Sequence, residues 1–258
     1  MRVKQFVISS SVSILFIYGI LIVSVFYFFE TEVLLASLSD KRVISAIWIS
    51  VSAATLAALL AVIIAIPSAY ALSRYNFWLK PAIDVILELP MIISPAALGA
   101  LILIFFQTPI GNFLRENTID VIYAFSGIVL AQFIAVLGIS TRLLKAVFDE
   151  IPTRYENIAR TMGATHSQSF FKISLPLARN GILSSVILTW AKAIGEFGAT
   201  ITVAGTMAFK TETLPTAIFM KLSMADIKGT VILILILFSI SMVMLILARL
   251  ILRERMYD

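Results

Sequence analysis

Lys192 and Glu196 stand four residues apart in an otherwise apolar run, 181–204. On a helix that spacing puts an ammonium and a carboxylate on one face. Each charge costs about 2.5–3.5 kcal/mol at the centre of a bilayer, so both must face protein or a water-filled cavity. Two roles are open. One is a structural pair within a helix, for which the lysine-first order is the weaker arrangement. The other is a pair beside a pathway, where Lys192 offsets the repulsion of an anion by Glu196. Glu88 lies just before Pro90, with Ser94 and Pro95 close behind. It reads as structural, while the two prolines break the helix ladder and allow a bend near a gate. Catalysis finds no constellation: the chain has no cysteine, and its one histidine, His166, has no ligand companions, so no metal site is expected. A phosphate-cradling G-x-x-x-x-G-K-[ST] loop is missing from the sequence, so any ATP hydrolysis belongs to another chain.

The elements that position these residues are helices in lipid. Hydrophobic residues fill 60% of the 258 positions and charged residues 14%, and the mean hydropathy is +1.01. A soluble domain cannot hide that much apolar surface. About 20 apolar residues cross a hydrocarbon core as a helix, whose backbone groups bond internally. Six stretches qualify: 6–29, 43–73, 85–106, 121–141, 181–204 and 229–252. The first is too long for a signal peptide and lacks a small-residue cleavage site. The expected fold is an all-α polytopic membrane protein with six transmembrane helices, one domain over 1–258. Of the 20 Lys and Arg, 13 fall on the side that holds the termini, the 74–84 loop and the 142–180 loop. The positive-inside rule puts both termini and that loop in the cytoplasm. Ala53, Ala57, Ala61, Ala65 and Ala69 form a ladder that Ala191, Gly195 and Ala199 repeat, a signature of close helix packing within a bundle or between subunits.

The 142–180 loop carries nine charged residues and His166, which reads as solvated. Pro152 suits the first position of a helix. Tyr155, Ile158, Ala159 and Met162 then make one apolar face, and Gly163 is a stop. Thr165 and Gln168 form a capping-box pattern that opens a second short helix through Phe170, Phe171 and Ile173. Pro176 and Gly181 lead into the fifth span. Two short amphipathic helices joined by a glycine turn are expected. Pattern alone fits a helix pair lying in the headgroups and a docking surface for a soluble partner equally well. The 205–228 segment predicts a short helix with Thr213 as N-cap and Pro215 in first position. It either covers the bundle or re-enters it and shapes an outer gate.

Glu156, Asn157, Ile158, Ala159, Arg160, Thr161, Met162 and Gly163, with Ser174, Leu175 and Pro176 further on, resemble the EAA loop of ABC importer permeases. Asn157 and Ile158 depart from the usual second acid and first alanine. Leu87, Glu88, Leu89 and Pro90, with Ser94, Pro95 and Gly99, are similar to the third-helix signature of the sulfate and molybdate branch. Trp190 to Ala199 are similar to its fifth-helix signature, with Lys192 where arginine is common. Thr211 to Ile218 fit the external loop that follows. The resemblance spans most of the chain and implies a type I importer permease fold, a conduit rather than an enzyme. It implies that Glu156, Ala159, Arg160, Gly163, Ala164, Ser167, Phe170, Leu175 and Pro176 couple to an ATPase. It places Glu88, Pro90, Ser94, Lys192, Gly195, Glu196 and Gly198 at the pathway or gate. The implied cargo is a tetrahedral oxyanion, molybdate or tungstate first, with sulfate or thiosulfate the near alternative. Implied partners are a second copy in a homodimer, a cytoplasmic ATPase dimer that carries ATP and Mg, an extracytoplasmic oxyanion-binding protein and the bilayer of a prokaryotic plasma (inner) membrane. No cofactor on this chain and no nucleic acid are implied. An ion-gradient transporter would show more intramembrane acids and an internal repeat, and an intramembrane enzyme a His, acid or Ser constellation.

Overall fold

Five alanines at every fourth position leave room for a neighbouring backbone, and the fold is built on that close approach. The computed structural model describes residues 2–117 and 120–254. Among them the chain runs through α1 (Arg2–Val25), α2 (Thr31–Ser39), α3 (Lys41–Arg74), α4 (Lys80–Ile92), α5 (Pro95–Gln107), α6 (Pro109–Asn117) and α7 (Phe125–Glu150). It continues through α8 (Arg154–Thr161), α9 (His166–Ser169), α10 (Leu175–Ile194), α11 (Gly198–Ala204), α12 (Leu214–Ser223) and α13 (Ile227–Glu254). Ala53, Ala57, Ala61, Ala65 and Ala69 are all fully buried. They seat α3 against Ile128, Val129, Val136, Leu144 and Phe148 of α7 and against Ala178, Trp190 and Ile194 of α10. The ladder is therefore spent on packing within one bundle. Its counterpart in the fifth span is not a ladder: Ala193 and Ile194 face inward, while Gly195 is exposed where α10 ends.

Four single helices are long and apolar enough to cross a bilayer: Val7–Phe28, Lys41–Arg74, Phe125–Glu150 and Ile227–Leu247. The third and fifth expected spans are instead broken. Between Lys80–Ile92 and Pro95–Gln107 the axis turns by 115°, and between His166–Ile194 and Gly198–Ala204 by 57°. Pro95 causes the first break, since its ring drives the preceding residue out of the helical region and Ser94 sits at ψ 144°. The Ser94 hydroxyl accepts the Ala97 N–H at 3.3 Å and starts α5 afresh. Pro90 breaks nothing; it lies inside α4. The second break falls at Gly195, after which the Glu196 carboxylate accepts the Ala199 N–H at 3.2 Å and opens α11. α3 and α7 both end beside α8, so the α4–α5 pair between them still carries the chain across the bundle.

α1 stands off this bundle, with none of its described side chains buried. The short helices α2 and α6 lie outside the six expected spans. Val33 and Leu34 of α2 pack on a cluster of Val43, Leu214, Ile232 and Leu233 at the start of α3, α12 and α13.

Candidate functional site: an exposed short helix and a crossing of two broken spans

Helix α8 begins after Thr153, so Pro152 lies just outside it rather than in its first turn. The turn that ends it is set by glycine: Gly163 has φ +91°, and the Ala164 N–H returns to the Ala159 carbonyl at 3.0 Å. The expected capping box is present. Gln168 N–H donates to Thr165 Oγ1 at 3.2 Å, and Thr165 N–H donates to Gln168 Oε1 at 2.9 Å. The second short helix, however, is not separate. α9 passes through a π-helical turn, Phe170–Ser174, straight into α10. Pro176 accounts for that turn, because it has no N–H to give the Lys172 carbonyl and its ring crowds that group.

Glu156 points into the protein. Its carboxylate accepts from Arg74 Nε at 2.8 Å, Ser174 Oγ at 2.7 Å and Tyr70 Oη at 2.8 Å. Burial pushes its pKa up, but these three donors outweigh burial and hold the carboxyl below its ordinary value. Arg74 also reaches the Ile151 carbonyl at 2.8 Å and Ser73 Oγ at 3.1 Å. One node thus binds the ends of α3 and α7, the body of α8 and the π-helical turn before α10. Phe170 is an anchor too, its ring 4.6 Å from Tyr70 and 6.4 Å from Phe148. Ala159, Ala164 and Leu175 are half-buried. The outward surface is made by Tyr155, Ile158, Arg160, Met162, Ser167, Phe171 and Pro176, with Met162 83% exposed. Among the described residues nothing covers Tyr155, Ile158 and Met162 on the apolar face of α8.

Of the seven residues expected at the pathway, Ser94, Lys192, Gly195, Glu196 and Gly198 lie at or beside the two breaks, while Glu88 and Pro90 lie within α4. A Cβ on Gly198 would lie 2.6 Å from Pro95 Cβ, and one on Gly99 would lie 2.7 Å from Thr202 Cβ. Glycine at both positions lets α5 and α11 touch along Leu98, Ile102, Ala199 and Val203. Glu196, 3% exposed, lies in the break, and Lys192 Nζ stands 3.5 Å from it with half of its side chain exposed. The pair forms even though the helix stops between the two residues. Glu88 lies outside the crossing, ion-paired with Arg142, and this pins α4 to α7.

At the opposite end of α3, Arg42 holds Glu212 through two bonds of 2.6 and 2.7 Å. Thr213 caps α12 as expected, with Pro215 in the second helical position rather than the first. Leu214, Pro215, Thr216 and Ala217 are buried, so the first turn of α12 enters the bundle. Sequence reasoning did not single out Arg74, Tyr70, Arg42 or Glu212. An arginine at the end of an apolar run reads as a snorkelling surface charge, and only the fold reveals its partner.

Residues 61–256 match the family of binding-protein-dependent transport system inner membrane components, and the chain belongs to that family. It is a multi-pass membrane permease of the ABC importer type, found in the inner membrane of a prokaryote. Over 224 residues it is 30% identical to the probable transport system permease protein NifC of Clostridium pasteurianum, covering 86% of this chain and 78% of that one. It is 31% identical to the sulfate transport system permease protein CysT of Salmonella typhimurium, over 73% of this chain and 69% of that one. It is 33% identical to the molybdenum transport system permease protein ModB of Haemophilus influenzae, over 68% of this chain and 78% of that one. Among solved structures, a bacterial alginate ABC transporter in complex with an alginate-bound periplasmic protein has the same fold, with TM-score 0.75 and 17% identity over 95% of this chain and 92% of that one.

Proposed function

We propose that the chain is the membrane-spanning subunit of an ATP-driven importer for a tetrahedral oxyanion, with molybdate or tungstate as the leading cargo. Two copies enclose one pathway, an external binding protein delivers the ion, and a separate cytoplasmic ATPase supplies the work. Both termini and the 152–176 loop lie on the cytoplasmic side. The observation that carries this reading is the bare apolar face of α8, fixed from behind by Glu156 and Phe170. A lone amphipathic helix rigidly mounted on a bundle suits transmission of a push from a docked protein. The crossing of the broken spans supplies the moving part inside the membrane. Helices interrupted within their spans place backbone groups and a buried carboxylate beside the proposed path of the ion, an arrangement that lipid alone would not tolerate. Lys192 lies there as the available cation, and it softens the field of Glu196 toward an anion.

Sulfate is the competing cargo, because a sulfate permease and a molybdenum permease resemble the chain to nearly the same degree. Sealed vesicles that hold this chain, its ATPase and its binding protein separate the options. Uptake that requires ATP and is competed by molybdate and tungstate but not by sulfate supports the proposal. Uptake by this chain alone, driven by a proton or sodium gradient, overturns it.

A further inference from the structure

α3 is gripped at both ends by a buried carboxylate, and the two carboxylates belong to different working segments. At one end the Arg74–Glu156 pair ties α3 to the lever helix, with the Arg74 and Glu156 side chains 6% and 12% exposed. At the other end Arg42 forks onto Glu212, which is 2% exposed and lies in the turn between α11 and α12. Ser50 adds a second hold there by accepting the Leu214 N–H at 2.7 Å. Both joints lie on the one continuous 34-residue helix α3, about 50 Å long at 1.5 Å per residue, with Pro67 as its single interior proline. Its alanine face is pressed directly on α7, which leaves no soft layer to absorb a displacement. At the Arg42 joint a guanidinium fork fixes the carboxylate in direction as well as distance, and at the other joint Arg74 gives Glu156 one bond while Ser174 and Tyr70 fix its direction. Glu156 has three donors on its two oxygens and faces inward, so it has nothing to offer a protein outside.

We infer that α3 is the connecting rod of the transport cycle. It carries displacement of α8 to the α11–α12 turn on the far side of the membrane, with Arg74–Glu156 and Arg42–Glu212 as its two joints. Glu156 is then a positioning residue and not a contact for the ATPase. This rests on the reading of α8 as a lever.

The chain has no cysteine, so Met224→Cys, at a site 68% exposed beside the Arg42 joint, introduces a unique label. The complex with its ATPase and binding protein is reconstituted in vesicles. Maleimide labelling of the introduced thiol is then timed with and without ATP, alongside uptake per ATP hydrolysed. The labelling rate of the parent is expected to respond to ATP. Glu156→Gln and Arg42→Met should each remove that response and lower uptake per ATP about tenfold, with the ATPase still bound and active. Their combination should be no worse than either alone, since both cut one path. Should Arg42→Met fail to assemble, Arg42→Lys, which keeps the charge and loses the fork, is expected to behave the same way. A transporting parent whose labelling ignores ATP overturns the rod, and so does a Glu156→Gln complex that keeps its response. Loss of the ATPase from Glu156→Gln but not from Arg74→Met also overturns it, because Glu156 would then be a docking residue. A parent without ATP-dependent uptake sinks the underlying lever reading itself.

Discussion

Gly163 has φ +91°, and a Cβ built on it meets no atom within 4 Å, so a side chain there is opposed by backbone strain alone. A β-branched residue in such a conformation costs on the order of 1–3 kcal/mol. Gly163→Val is expected to misdirect the end of α8 and lower uptake per ATP, whereas Gly163→Asn, a residue that tolerates positive φ, should retain most of it. Paired uptake and hydrolysis assays check both. Glu156 gives a pH signature. Its pKa is depressed in the folded chain, so its contribution to stability is fully present above the ordinary glutamate pKa, about 4.3, and fades as pH falls through the lower folded value. The melting temperature of the purified protein should therefore exceed that of Glu156→Gln by a constant margin above about pH 5, and the margin should shrink below about pH 4. A margin that widens on acidification refutes the assignment. The glycine was legible in the sequence because a helix stop is local. The inward turn of Glu156 was not, because its main partner lies 82 residues away.

The two broken spans were only half legible in the sequence. Pro95 announced the bend in the third span, since proline acts through the residue directly before it. The break in the fifth span was hidden by Lys192 and Glu196, whose spacing fits a continuous helix, and by Gly195, which fits a packing ladder with Ala191 and Ala199 equally well. Glycines serve both purposes, and only the meeting of Gly198 with Pro95 shows which one applies here. Gly198→Val should force α5 and α11 apart, lowering stability by about 1–3 kcal/mol and abolishing uptake. The alanine ladder of α3 was legible as a close-packing face because small side chains let a neighbouring backbone approach, while the fold showed that the neighbour lies in the same bundle. Ala57→Leu there should cost about as much through overpacking, read as a lower unfolding temperature of the purified complex. Unchanged melting would place that face outside the bundle core. The π-helical turn of Phe170–Ser174 escaped detection because its cause, Pro176, reads equally well as the start of a new helix.

At the scale of the whole molecule, three features are joined: the exposed apolar face of α8, a crossing of broken spans, and a closely packed α3–α7 core between them. Composition, hydropathy and charge asymmetry placed the chain in a membrane, and the EAA-like loop pointed to its class. The long-range joints, Arg74–Glu156 and Arg42–Glu212, became visible only in the fold, since pairing across such distances leaves no local pattern. The division of roles in the lever follows from the same geometry, with Glu156 and Phe170 mounting it from behind while Met162 and Phe171 face outward. The most direct test places a cross-linker on the thiol introduced by Met162→Cys, in a complex that imports oxyanion at the expense of ATP. Capture of the ATPase subunit by this position is the predicted result. A complex that transports normally while the cross-linker never reaches the ATPase contradicts the account.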